Sequence, residues 1–197
     1  MSRGKGLGKS KRSKRSTRII AFDAIMAALG VLLMLFLRFP LLPVAAPWLI
    51  YDLGDLAAIL AGLIAGPVHA IIVLLIICIV QMATPNASGF WGFVMHFIAS
   101  GVMVIVPALV WQRKKNRSSL ILGLIGGALA LIIIMIPLNI IITPIFTGAS
   151  VEAVIKMIMP IIVPFNLIKG LLNTVFSYLI FMALLKAGNV KFKNWRV

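Results

Sequence analysis

The segment VPFNLIKGLL, Val163 to Leu172, sets an asparagine and a lysine in an otherwise apolar stretch. Asn166 and Lys169 are three residues apart, which puts both on one face of a helix. An amide donates and accepts, and an ammonium donates up to three hydrogen bonds. Together with Asn139 of IPLNII, the set could hold a polar small molecule. The competing reading is a lysine whose ammonium reaches for the membrane interface, beside an asparagine that bonds a neighbouring helix. A lysine left unpaired in an apolar bundle costs on the order of a few kcal/mol, so the question bears on function.

Other chemistry-bearing residues are sparse. His96 in FVMHFIAS reads as an interhelical hydrogen-bonding group that could also touch a ligand, and His69 follows the turn Gly66-Pro67. The two histidines lie far apart with no carboxylate expected beside them, so no metal site is expected. Cys78 is the only cysteine, which excludes an intrachain disulfide; it reads as lipid-facing or core packing. Trp48, Tyr51 and Trp91 are either interface-belt aromatics or rings that could stack on a planar ligand. The chain carries no phosphate-binding loop, no HExxH and no Ser, His and Asp set on one side of a membrane. No enzymatic activity and no cofactor are therefore expected, and ATP hydrolysis would fall to other subunits.

The elements that must position these residues follow from composition. The chain has 197 residues, 62% of them hydrophobic, and four acidic groups, Asp23, Asp52, Asp55 and Glu152. With a mean hydropathy of +1.13, that is an integral membrane protein. Apolar length, with proline, glycine and charge as punctuation, predicts an all-α fold of six transmembrane helices. They run at about Ile19 to Leu37, Leu53 to Gly66, Val68 to Ala83, Phe90 to Gln112, Ser118 to Phe146 and Ile161 to Ala187. Residues 1–18 read as a basic disordered tail, 19–187 as the membrane domain and 188–197 as a second basic tail.

The net charge of +15 is clustered, which argues for membrane topology and lipid contact and against nucleic acid. Eight of the 19 Lys and Arg lie in residues 1–18, four in RKKNR (Arg113 to Arg117) and four from Lys186 to Arg196. Six spans put all three clusters on one side, so both termini are expected in the cytoplasm. Three loops then face outward: RFPLLPVAAPWLIYD, an irregular connection; TPNASGFWG; and TGASVEAVIKMIMP. Asn139, 21 residues past Ser118, is expected near the outer leaflet with Asn166, Lys169 and Asp52, which together predict an outward-facing polar pocket. On the first helix, Ala24 and Ala28 form a smooth strip that suits either internal packing or a partner helix.

Two stretches, FPLLPVAAPWLIYDLGDLAAILAGLIAGPVHAIIV and IIVPFNLIKGLLNTVFSYLIFMALL, resemble the substrate-binding S component of energy-coupling factor (ECF) vitamin transporters, most closely the riboflavin branch. The resemblance rests on the proline-rich first loop ending in an aromatic and DLGD, on Gly66-Pro67, and on PFNLIKG. It implies a high-affinity vitamin site near the outer face of a bacterial plasma membrane, covered by the first loop. Asn139, Asn166 and Lys169 match polar ligand contacts of that branch, and Leu49 to Asp52 match the first-loop contacts. Ala24 and Ala28 would dock onto a transmembrane coupling subunit driven by two cytoplasmic ATPases. Ile77, Cys78 and His96 stand where the riboflavin branch often carries other polar residues, which leaves pantothenate and a pyridoxine-like vitamin as alternatives. An autonomous secondary transporter is the alternative of another class. It would call for internal repeats and intramembrane carboxylates, and neither is expected from this chain.

Overall fold

The computed structural model describes residues 6–84 and 89–188, with side chains from residue 17 onward. It begins with α1 (Gly6–Phe36), then a hairpin of β1 (Arg38–Pro40) and β2 (Ile50–Asp52), α2 (Gly54–Ala65) and α3 (Pro67–Met82). There follow α4 (Gly89–Arg113), α5 (Arg117–Thr147), α6 (Val151–Met157), a π-helical turn (Ile158–Ile162) and α7 (Val163–Lys186). Among the described residues, four helical stretches are long and apolar enough to cross a membrane: Thr17–Phe36, Gly89–Arg113, Arg117–Thr147 and Val151–Lys186.

The two central helices are shorter, 12 residues for α2 and 16 for α3. At about 1.5 Å per residue α2 is roughly 18 Å long, well short of a hydrocarbon core of about 30 Å. Its sequence, GDLAAILAGLIA, is apolar nearly all round, and every residue but Ile64 is buried. The site depends on this: Asp55, in the first turn of α2, has no solvent exposure.

Close backbone approach fixes the packing. Gly66, at the α2–α3 junction, has φ +116°, and a Cβ there would stand 2.6 Å from the Gln112 amide nitrogen. Pro67 opens α3 where a missing N–H costs nothing. Along α5, Gly123 and Gly127 are one turn apart and face α4. A Cβ on Gly127 would meet the Met103 carbonyl oxygen at 2.6 Å.

Two expectations are corrected. The first loop, residues 37–53, is not wholly irregular: Arg38 pairs with Asp52, Phe39 with Tyr51 and Pro40 with Ile50, and the Phe39 and Tyr51 rings meet edge to face at 5.6 Å. Much of the stretch from Thr147 to Pro160 is helical. Ser150 caps α6 by accepting from the Ala153 amide at 3.2 Å, and Glu152 and Lys156 each sit at the end of the helix dipole that suits their charge. Helix α1 starts at Gly6, within the basic segment, where lysine and arginine are good helix formers. Residues 1–5 and 189–197, and with them most of the expected C-terminal tail, lie outside the described residues.

Candidate functional site

A cavity opens under the first loop. Trp48, Leu49, Ile50 and Asp52 line it from that loop, His96 and Met95 from α4, and Asn166, Lys169 and Phe165 from α7. Gln81 of α3, Met34 of α1, Leu131 and Met135 of α5, and Arg38 of β1 also line it, with Thr84, Gly92 and Ala99. Six residues that the sequence places in a ligand site, Trp48, Leu49, Asp52, His96, Asn166 and Lys169, are thus brought to one space.

At its base the polar groups form one connected chain. The Asp55 carboxylate pairs with the Lys169 ammonium at 2.9 Å and accepts from His96 Nε2 and from the Ser100 hydroxyl, each at 2.8 Å. His96 Nδ1 meets Gln81 Oε1, and Gln81 Nε2 donates to Asp52 at 3.3 Å. The other Asp52 oxygen accepts from the Gly54 amide at 2.9 Å. A buried ion pair persists when further hydrogen bonds satisfy its remaining lone pairs, and His96 and Ser100 do this for Asp55. Lys169 therefore does not reach for the interface; its partner is Asp55.

Asn166 is 2% exposed and its Nδ2 donates to the Ile162 carbonyl at 2.8 Å, which holds the amide against the end of the π turn. Asn139 sits elsewhere. It lines an adjoining cavity with Thr143, Val154 and Met157, and Trp48 to Ile50, Met95 and Met135 border both spaces. Its Nδ2 donates to the Met135 carbonyl at 2.8 Å and its Oδ1 accepts from Thr143 at 3.0 Å. Each amide atom keeps capacity for one further bond. The expected single set of two amides and an ammonium is thus divided between neighbouring cavities.

Tyr51 points away from both. It is 1% exposed, and its hydroxyl donates to Asn173 at 3.3 Å, so it anchors β2 into the bundle instead of offering a ring to a ligand.

Sequence reading missed Asp55, Gln81 and Ser100 as site residues. A carboxylate one turn into an apolar helix was the available signal for Asp55, since such groups are functional candidates by default. Both histidines have carboxylate partners after all: besides His96 with Asp55, His69 Nδ1 lies 2.9 Å from both oxygens of Asp23. These contacts join residues 41 and 46 positions apart, which no local pattern reveals. The expected lack of intramembrane carboxylates is also corrected, because Asp55 is fully buried, though paired. Among the described residues no cluster of three His, Cys, Asp or Glu could hold a metal ion. Cys78 is buried in the core. Ala24 and Ala28 are exposed on α1, beside the exposed Ile25 and Leu29.

Comparison with known proteins bears on the family and the fold. The family model described as ECF transporter, substrate-specific component, matches residues 18–181. The chain is 32% identical over 174 residues to the riboflavin transporter RibU of Streptococcus thermophilus, covering 84% of this chain and 82% of that protein. It is 32% identical over 163 residues to the riboflavin transporter FmnP of Bacillus subtilis, covering 78% and 84%. A solved S component of a bacterial ECF transporter superposes with a TM-score of 0.76 at 26% identity, over 89% of this chain and 99% of the other.

Proposed function

The chain belongs to the family of ECF transporter substrate-specific components, and from that membership we propose that it is the membrane-embedded subunit through which a bacterial cell captures riboflavin. It is a transport protein of the membrane and not an enzyme. The relatives named as riboflavin transporters cover most of the chain, which supports this vitamin over others.

The observation that carries the ligand reading is that Lys169, on the wall of a cavity bordered by Trp48 and Leu49, is paired with the buried Asp55 behind it. Lys169 already has a carboxylate partner in Asp55, and Arg38 is a further cation on the cavity wall. Lys169 also donates to Ser100 at 3.4 Å, and its third N–H, with Asn166, suits a ligand rich in carbonyl and hydroxyl groups, while the Trp48, Leu49 and methionine surfaces suit a flat ring. Riboflavin has both parts. Trp48, Leu49, Asp52, His96, Asn166 and Lys169 form the proposed first cavity, Asn139 contributes from the second, and Tyr51 supports the loop.

Six crossings with both ends in the cytoplasm remain the topology that places all three basic clusters on one side. The short α2 then counts as a crossing completed by the first loop. Transport requires a transmembrane coupling subunit and two cytoplasmic ATPases, with the exposed Ala24 and Ala28 strip as the docking face.

Calorimetric titration of the purified protein with riboflavin, pantothenate and pyridoxine tests the ligand reading. Tight binding of riboflavin alone is expected, and preferential binding of pantothenate would overturn it. Reconstituted uptake should require the coupling subunit and ATPases; uptake driven by an ion gradient alone would return the chain to the secondary transporters.

A further inference from the structure

The hydrogen-bond chain that starts at Lys169 does not stop at the cavity base. It runs through Asp55, His96 and Gln81 to Asp52, the last residue of β2, and so ends on the loop that borders the cavity. We propose that Gln81 and His96 are positioning residues that latch the first loop over the bound ligand, with the buried Asp55 as the anchor of the latch. The proposal deepens the riboflavin reading and rests on it for the identity of the ligand.

The grammar of the bonds favours this role. Gln81 Nε2 faces the Asp52 carboxylate, so its Oε1 is left for His96, and Oε1 only accepts. The Asp55 carboxylate on the other side of the ring accepts as well. The imidazole therefore donates at both nitrogens, spanning α2 and α3 from its place on α4. Asp52 itself is held in line by the Gly54 amide at 2.9 Å and, through its backbone, by pairing with Arg38 of β1. Fixing Asp52 fixes the β2 end of the loop, and Trp48 to Ile50 precede it directly. Because Asp55 holds Lys169 with one oxygen and His96 with the other, contacts made at Lys169 and the position of the loop share one carboxylate.

The test compares Gln81→Met, His96→Leu and the double variant. His96→Leu leaves Asp55 paired with Lys169 and Ser100, so no buried charge is orphaned. Riboflavin dissociation and association are followed by the quenching of its fluorescence on binding. Each single variant should speed dissociation about tenfold, the effect of losing one charge-assisted bond, while association changes less than about twofold. The double variant should dissociate no faster than the faster single one, because both changes cut the same chain. Multiplying losses, or slowed association with unchanged dissociation, would overturn the latch.

A second measurement needs no ligand. Hydrogen exchange at the Ile50, Tyr51 and Asp52 amides of the ligand-free protein should quicken in Gln81→Met, which keeps the length of the side chain but neither donates to Asp52 nor accepts from His96. Equal exchange in Gln81→Met and wild type would refute the latch even if His96→Leu fails to fold. Failure of wild-type protein to bind riboflavin would instead defeat the functional reading and leave this exchange result to decide the latch.

Discussion

Lys169 of α7 and Asp55 of α2 form a 2.9 Å ion pair whose carboxylate is fully buried. His96 and Ser100 still donate to Asp55 when the lysine is lost, so Lys169→Met costs less than the about 3 to 5 kcal/mol of a fully orphaned buried charge and should lower the thermal unfolding temperature of the detergent-solubilised protein only modestly. Lys169→Met with Asp55→Asn keeps an acceptor for His96 and should fold as well. Both variants should bind riboflavin at least about tenfold more weakly, because the ammonium donor is lost in each. Wild-type affinity in the stable double variant would remove Lys169 from the ligand site.

Asn166→Ala should weaken riboflavin binding by at least about tenfold in calorimetry, since its amide lies in the same cavity as Lys169. Asn139→Ala should cost less, because its amide already bonds Met135 and Thr143 on its own helix. The opposite order would place the ligand mainly in the second cavity.

Exposed Ser150 and Ser118 lie at opposite ends of the proposed topology. With Cys78 buried in the core as a silent background, a membrane-impermeant thiol reagent added outside intact cells should label Ser150→Cys and spare Ser118→Cys. The reverse pattern would invert the bundle and move the cavity to the cytoplasmic face.

Ala24→Leu combined with Ala28→Leu should leave riboflavin affinity unchanged, because both residues are exposed on α1 and neither lines the cavities described. Co-purification with the coupling subunit should be lost, since leucine side chains keep a partner helix at a distance. Normal assembly would assign the strip to ordinary lipid contact.

The sequence by itself determined the membrane class, the limits of four helices and six of the residues at the cavity. Apolar runs cut by Gly66-Pro67, by RKKNR and by proline marked α2, α3, α4 and α5 to within a residue or two, because in hydrocarbon the backbone must be helical wherever it is apolar and unbroken. Trp48, Leu49, Asp52, His96, Asn166 and Lys169 were legible because polar or aromatic residues stand out in such a chain. Partnership was not legible. Asp55, His96 and Lys169 belong to three different helices, and helical periodicity fixes the face of each residue but neither its depth nor which neighbouring helix it meets. Only the tertiary structure, by burying the first turn of a helix too short to span the membrane alone, placed Asp55 beneath the first loop and gave the lysine its partner.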